Sequence, residues 1–494
     1  MKRILSLVLV LLTVLSMLLS CGQEAAAPQD TTAAAETSPA ESEGVTETQP
    51  KSGVPEDTDL DGAAIRIWYT TNWMGYTAFD GDNTGDTLDS AIYNQRVAVE
   101  ERLRCTIEYF DSNTDQAKCN EAIQKLLLAG DDSFDAYAPT QWNGVKVVAE
   151  GLFLNIADQS VISFDKPWWY AEYMAEMAVG KNCIFTLVGD WSIDAKRFLS
   201  CCYANKQIYG SSFGEPDELY GFVLDGSWTV DRMQEMCEAA YSDLDGNGKA
   251  DKNDMLGTVL VWNEDILSLQ VGSGERFTKR DSDNIPILNE NFERMFTVCD
   301  RLYELSYNTT GIVYGTKKEA LEIEENAKKF SSSTMLLMLG QFYVAEYLRD
   351  MTDDFAILPV PKFEESQSDY WSYMFEVLRF VALPYNCKAP DVVCAALEEL
   401  AFEGHQSVAP VYYEESLKTK YLRDSQSSQM IDLISGSVYY DNALIYVTSW
   451  GSITIAARDL IKSGKNTFAS EFAARHDKAI EQGGEVIAQF LAFQ

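Results

Sequence analysis

Apolar and polar positions divide the chain into three stretches of different character. An unbroken apolar and small-residue run begins at Ile4, behind Met1-Lys2-Arg3, and closes on Leu18-Leu19-Ser20-Cys21. From Gly22 to about Asp59 there is almost no large apolar residue, mainly Ala, Thr, Glu, Ser, Pro and Gln. Such a composition buries too little surface to offset chain entropy, so a disordered tether is expected, extended further by its negative charge. Periodicity starts after it. Ala64-Ile65-Arg66-Ile67-Trp68-Tyr69-Thr70 is a β-rich run that predicts a strand. Thr87 then stands where it can cap a helix on which Leu88, Ile92, Val99 and Leu103 recur at helical spacing. Residues 105–110 predict a second strand, 121–128 a helix and 134–138 a third strand.

Strands alternating with helices predict an α/β fold with a mostly parallel sheet and helices on both faces. Short strand-to-helix loops place ligand contacts at the carboxyl ends of the strands, which singles out Tyr69 to Trp73 and Thr140 to Asn143. Further along, Gly226-Ser227-Trp228-Thr229 is a turn leading into a helix. Residues 335–339, 355–359 and 377–383 predict strands. Residues 391–402 and 468–490 hold helical patterns, the second broken at Gly483-Gly484. The 494 residues suffice for two ordinary domains beyond the tether. No internal repeat or second low-complexity linker occurs, so two lobes would be joined through ordered segments.

The N-terminal run has two cations, a short apolar core and a small residue before a cut site, the pattern of a secretory signal peptide over residues 1–20. The core is too short, and its sequel too polar, for a permanent span. Leu-x-Ser-Cys resembles a bacterial lipobox, which implies that Cys21 is lipidated and residues 21–59 form the tether. The expected location is the extracellular face of the cell membrane. With 39 basic and 76 acidic residues the net charge is −37, and loss of Lys2 and Arg3 deepens it. That field repels nucleic-acid phosphates and anionic head groups, so no nucleic-acid partner is expected and membrane contact falls to the lipid. The ten cysteines, odd in number once Cys21 is set aside, lack disulfide-scaffold spacing and any CxxC pair. They are read as small buried hydrophobes, and Cys201-Cys202 could bridge only with strain.

One stretch carries a metal motif. Asp243, Asp245, Asn247, Asp251 and Asp254 put oxygen side chains at positions 1, 3, 5, 9 and 12 of a loop with glycine at position 6. Position 7 would add the Lys249 carbonyl. This is the EF-hand register, with aspartate at position 12 where glutamate is usual, and the expected cofactor is a structural, weakly held Ca2+. Catalytic signals are thin. A serine triad needs histidine, and only His405 and His476 exist, both read as surface residues. No HExxH, P-loop or GxGxxG occurs. Binding without catalysis is expected.

Several stretches together resemble extracellular solute-binding lipoproteins of sugar-type ABC importers. They are the lipobox and tether, residues 89–103, Pro167-Trp168-Trp169, Gly226-Ser227-Trp228-Thr229 running into the Asp/Gly loop, Ile357-Leu358-Pro359-Val360-Pro361-Lys362 and Leu417-Lys418-Thr419-Lys420-Tyr421. The resemblance covers about residues 60–494 and implies the type II periplasmic-binding-protein fold, two α/β lobes crossed more than once by the chain and closing on a ligand cleft. It implies lobes of about 60–196 plus 374–440, and 197–373 plus 441–494. The second lobe would carry the 243–254 loop. Ligand positions carried over are Tyr69, Asn72 and Trp73; Gln141, Trp142 and Asn143; Asp190 and Trp191; Trp262; Gln341 and Tyr343; and Tyr440. Aromatic rings beside amide and carboxylate groups suit the C–H faces and hydroxyl rims of a sugar. Pro-Trp-Trp is read as packing instead. The implied role is a monomeric receptor that delivers a small carbohydrate to permease subunits. A cell-surface glycan hydrolase and a sensory or adhesive lipoprotein are the alternatives.

Overall fold

The computed structural model describes residues 51–71, 79–83, 85–114, 116–261, 264–315, 323–419 and 425–493. The leader, Cys21 and most of the tether lie outside them. No helix among the described residues is long and apolar enough to cross a membrane.

Three strands, β1 (Ala64–Tyr69), β2 (Thr106–Asp111) and β3 (Ala136–Ala138), form a parallel sheet in the order β2-β1-β3. The helix Thr87–Leu103 links β1 to β2 and buries Ile92, Gln95, Val99 and Leu103 on one face. Its N-cap is Asp86, one residue before the expected Thr87. The Asp86 carboxylate accepts from the Leu88 and Asp89 amides at 3.0 and 3.3 Å. The sheet grows by single pairings. Tyr137 exchanges backbone hydrogen bonds with Ala382, and Leu187 with Val381, both antiparallel. Residues 377–383, expected as a strand, therefore pair one residue at a time.

The remaining strands are β4 (Ser200–Asn205), β5 (Thr258–Val261), β6 (Thr278–Arg280), β7 (Pro286–Leu288), β8 (Ile312–Gly315), β9 (Leu337–Gln341), β10 (Phe355–Leu358), β11 (Ser372–Tyr373) and β12 (Val438–Tyr439). β5 and β8 are parallel, and a parallel bridge between Leu256 and Met335 joins them to the antiparallel set β10-β4-β9. The second sheet thus runs β8-β5-β9-β4-β10. The expected parallel arrangement holds for the core of the first sheet, while the second is mixed.

Both sheets follow one plan: three parallel strands, one reversed strand, then one aligned with the first three. In the second sheet the reversed strand is β4, which the chain enters from the first sheet. In the first it is the segment around Val381, reached after the second sheet. Each reversed strand marks a crossing.

Every residue of β4 is buried. Cys201 and Tyr203 face one apolar cluster, and Cys202 and Ala204 face the other, the two-residue alternation of a strand covered on both faces. The adjacent cysteines point apart. All nine described cysteines are free thiols and only Cys387 is not buried, as read from the sequence. The last helix, Phe468–Ala492, is continuous through Gly483-Gly484, contrary to the expected break. A Cβ at Gly483 would meet the Trp450 ring at 2.5 Å, so this glycine provides a contact.

Candidate functional site

At the carboxyl edge of the first sheet, charge is buried and paired. Arg379 donates from Nε to the Thr70 carbonyl at 2.9 Å and from a terminal nitrogen to Asp194 Oδ2 at 2.8 Å. This ion pair is 0% and 1% exposed. Its guanidinium also lies 5.4 Å from the Phe79 ring centre, whose other faces meet Tyr69 and Trp191 at 5.1 and 5.4 Å. A few residues away, Asp190 accepts from Lys196 Nζ at 2.6 Å and its other oxygen meets His405 Nδ1 at 2.7 Å. Burial would lower the Lys196 pKa, but Asp190, with Tyr170 and Tyr413, outweighs it and holds the ammonium well above the usual lysine range. His405, expected at the surface, is half-buried beside Trp168. The Trp168 and Trp169 indoles both donate to buried Glu398, at 3.2 and 2.7 Å, in line with the packing role read for them.

The predicted contacts gather in three groups. Tyr69 and Trp191 meet through Phe79 and are core residues here. Gln141 accepts from the Tyr173 hydroxyl, and the Tyr173 ring meets Tyr440 at 5.6 Å. Trp142 and Asn143 beside them are half-buried, and the Trp142 amide donates to the Glu376 carbonyl at 3.0 Å. Gln341 and Tyr343 stand at the carboxyl end of β9, each 1% exposed. Asp190 belongs to the ion network. Asn72, Trp73 and Trp262 lie outside the described residues.

A narrow depression of about 10 Å3, room for about one water molecule, sits at the carboxyl ends of β5 and β9, lined by Val261, Glu264, Asp265, Ile323, Asn326 and Gln341 among others. Burial holds the Asp265 carboxyl well above its ordinary pKa, although the Val261 amide donates to it at 2.7 Å. Gln341 Nε2, Asn326 Oδ1 and the Tyr343 hydroxyl are buried without a hydrogen-bond partner among the described residues. Each such group costs about 1–3 kcal/mol.

Sequence reading overlooked Arg379, Lys196, Tyr173 and Asn326. For Arg379 a signal existed: a lone charge inside the apolar run Val377-Leu378-Arg379-Phe380-Val381. The letters G-x-S-x-G do occur, at Gly210-Ser211-Ser212-Phe213-Gly214. Ser212 there ends the helix Lys206–Ser212 rather than standing between strand and helix, so no nucleophile elbow forms.

In the 243–254 loop, Gly246 and Gly248 both adopt φ near +75°, and their amides donate to the two Asp243 oxygens at 2.7 and 2.9 Å. Buried Asp254 accepts from the Leu244 and Asp251 amides, both at 2.9 Å. One carboxylate oxygen each from Asp243, Asp245 and Asp254 lies within 4.8 Å of the others, a spacing that fits one hard cation. Asn247 and Asp251 face each other across the same loop at 3.0 Å.

No family model matches the chain, and no curated protein matches it in sequence. Solved structures do match in fold. An ABC substrate-binding protein of Listeria monocytogenes in complex with cycloalternan aligns at TM-score 0.55 and 10% identity, over 86% of this chain and all of that one. An ABC transporter-associated binding protein of B. animalis subsp. lactis, in complex with β-1,6-galactobiose, aligns at 0.55 and 12%, over 86% and 98%. A maltose/maltodextrin-binding domain of Bdellovibrio bacteriovorus bound to maltotriose aligns at 0.52 and 12%, over 87% and 100%. The fold is that of ABC-transporter substrate-binding proteins, as the sequence resemblance implied.

Proposed function

We propose that this protein is a solute receptor that closes around a carbohydrate and hands it to an ABC importer from the outer face of the membrane, held there by lipidated Cys21. The observation that carries the reading is the pair of like sheets, whose carboxyl edges gather aromatic and amide side chains in a fold shared with sugar-binding proteins. Trp142, Asn143, Gln141 and Tyr440 serve from the first lobe and Gln341 from the second. The chain crosses between the sheets near residues 194–200 and 372–380, where hinge closure would act.

Titration with mono- and oligosaccharides, followed by thermal shift and calorimetry, tests this. A sugar should stabilise the protein, and Trp142→Ala should weaken it by a few-fold to hundreds-fold, about 1–3 kcal/mol for a stacked ring. Sustained release of reducing sugar by the pure protein would favour a glycan hydrolase instead.

The 243–254 loop is assigned to Ca2+. Asp243, Asp245, Asn247, Asp251 and Asp254, with the Lys249 carbonyl, would hold it, and the ion would neutralise three converging carboxylates. Its role is structural: the Lys329 ammonium donates to the Lys252 and Asp254 carbonyls and so ties the loop to the helix Ile323–Ser331.

A further inference from the structure

We propose that the hairpin β6-β7 is a clasp between the two halves of the protein, fastened beside the chain crossings, that lets the halves turn and limits how far they part. The receptor reading supplies only the premise that the halves move, and the test needs no solute.

The hairpin rises from the second half, between the helices Glu264–Gly272 and Glu293–Tyr307. Its base is bound to a crossing. The Asp441 carboxylate, just past β12, accepts from the Phe277 and Thr278 amides at 2.8 and 3.1 Å and from the Thr278 hydroxyl at 2.8 Å. The Tyr439 hydroxyl donates to the Glu275 carbonyl at 2.7 Å, and β12 itself pairs with β11 of another crossing. The far end of the hairpin grips the first half at and beyond the helix Ala171–Met177. Arg280 uses all five of its N–H donors there. Nε and Nη2 donate to Glu176 Oε2 at 3.2 and 3.0 Å, Nη2 also to the Glu176 carbonyl at 2.6 Å, and Nη1 to the Ala178 carbonyl at 2.7 Å. The fifth bond, to the Asn284 carbonyl at 3.0 Å, crosses the hairpin and holds its shape. Asn284, at φ +61°, pairs in turn with Gly180: its Nδ2 donates to the Gly180 carbonyl at 3.0 Å, and its carbonyl accepts from the Gly180 amide at 3.1 Å.

Position decides what such a contact does. Halves that turn about the crossings displace their atoms in proportion to distance from the axis. A contact fastened to the crossing strands moves least and holds through the motion, whereas one across a cleft mouth breaks at every opening. A planar guanidinium with five fixed bonds also resists sliding and twisting, as a flexible ammonium would not.

Two variants separate a clasp from mere packing. Arg280→Met keeps an unbranched stem and removes the five donors. Asn284→Gly keeps the positive φ and the backbone pairing and removes only the side-chain bond to Gly180, so it decides the matter alone where Arg280→Met does not fold. Small-angle X-ray scattering of the ligand-free full chain reads the separation of the halves, and the N-terminal segment, common to all three proteins, cancels in the comparison. Arg280→Met should enlarge the radius of gyration by about 1 Å, roughly one part in twenty of the value for a compact chain of this size. Asn284→Gly should enlarge it less, and both should keep the parent's circular dichroism. Amide exchange at residues 176–181 should quicken in both variants while β1 and β4 stay protected. A radius unchanged in both, with only a lower urea midpoint, makes the hairpin plain packing and overturns the clasp. A smaller radius makes it a prop that holds the halves apart and overturns the clasp equally. Either failure leaves the receptor reading to the sugar titration, which this experiment does not touch.

Discussion

The carboxyl edge of the first sheet buries full charges and pairs them, Arg379 with Asp194 and Lys196 with Asp190. The carboxyl edge of the second buries amides beside the Asp265 carboxyl, and two of the amides have an atom without a partner among the described residues. The strand order is the same in both. An uncompensated ion in a low-dielectric interior costs far more than an unpaired amide. The first edge thus meets its charges within the protein, whereas the second carries neutral groups left open among the described residues. The charge pairs of the first edge act as a frame.

The largest way to break this contrast is Arg379→Met. It leaves Asp194 buried, with Oδ2 stripped of its ion pair and Oδ1 already without a partner. Removing one member of a buried pair costs about 3–5 kcal/mol. A urea titration should show that loss as a lower midpoint at unchanged slope. A loss below 1 kcal/mol would mean that the pair is not a frame.

Calcium should act on the second half alone. At ten to a hundred times a dissociation constant of about 10⁻⁴ to 10⁻³ M, binding adds about 1–3 kcal/mol. Chelation should lower the melting temperature of the parent and leave Asp243→Ala/Asp245→Ala unmoved. Arg379→Met should remain calcium-responsive. Equal response of parent and double variant would remove the metal from this loop.

The helix Phe468–Ala492 runs against both halves. Phe490 meets Phe185 at 5.8 Å, beside the first sheet, and Phe472 meets Phe292 at 4.4 Å, in the second half. Gly483 lies between these contacts, against the Trp450 ring. Gly483→Ala gains helix propensity of about 0.5–1 kcal/mol but forces a rigid ring aside at about 1–3 kcal/mol. The net loss should be near 1 kcal/mol, read from the same urea midpoint. A gain would mean that Trp450 has room to move.

What the sequence disclosed follows from how local each feature is. The metal-type loop was legible because all its oxygens fall within twelve residues, and β1 because its composition is β-branched and aromatic. β4 was not. Its residues Ser-Cys-Cys-Tyr-Ala-Asn are buried on both faces, so no polar alternation marks them. The Gly483-Gly484 break was misread because a glycine chosen for a tertiary contact has the letters of a helix end. His405 was placed at the surface because its partner Asp190 is 215 residues away.

Glu376 sharpens the comparison by sitting where the halves join. Its carbonyl accepts from Trp142 of the first lobe, and the preceding amide, Phe375, donates to Phe198 at 3.0 Å on the way into β4. The side chain is 5% exposed and accepts from the Tyr373 hydroxyl. Burial raises its pKa above 4.5, and the Tyr373 hydrogen bond only partly opposes this. A carboxyl raised in the folded state binds its proton more tightly there than in the unfolded chain. Its favourable contribution is therefore complete below pH 4.5 and is lost as pH climbs through the folded value. Glu376→Gln keeps an acceptor for Tyr373 and carries no titrating proton. The variant should be the more stable protein at neutral pH, and the two should converge as pH falls below 4.5. Stability curves measured across that range on both proteins decide it. A difference that stays constant with pH would show that Glu376 does not titrate across this window.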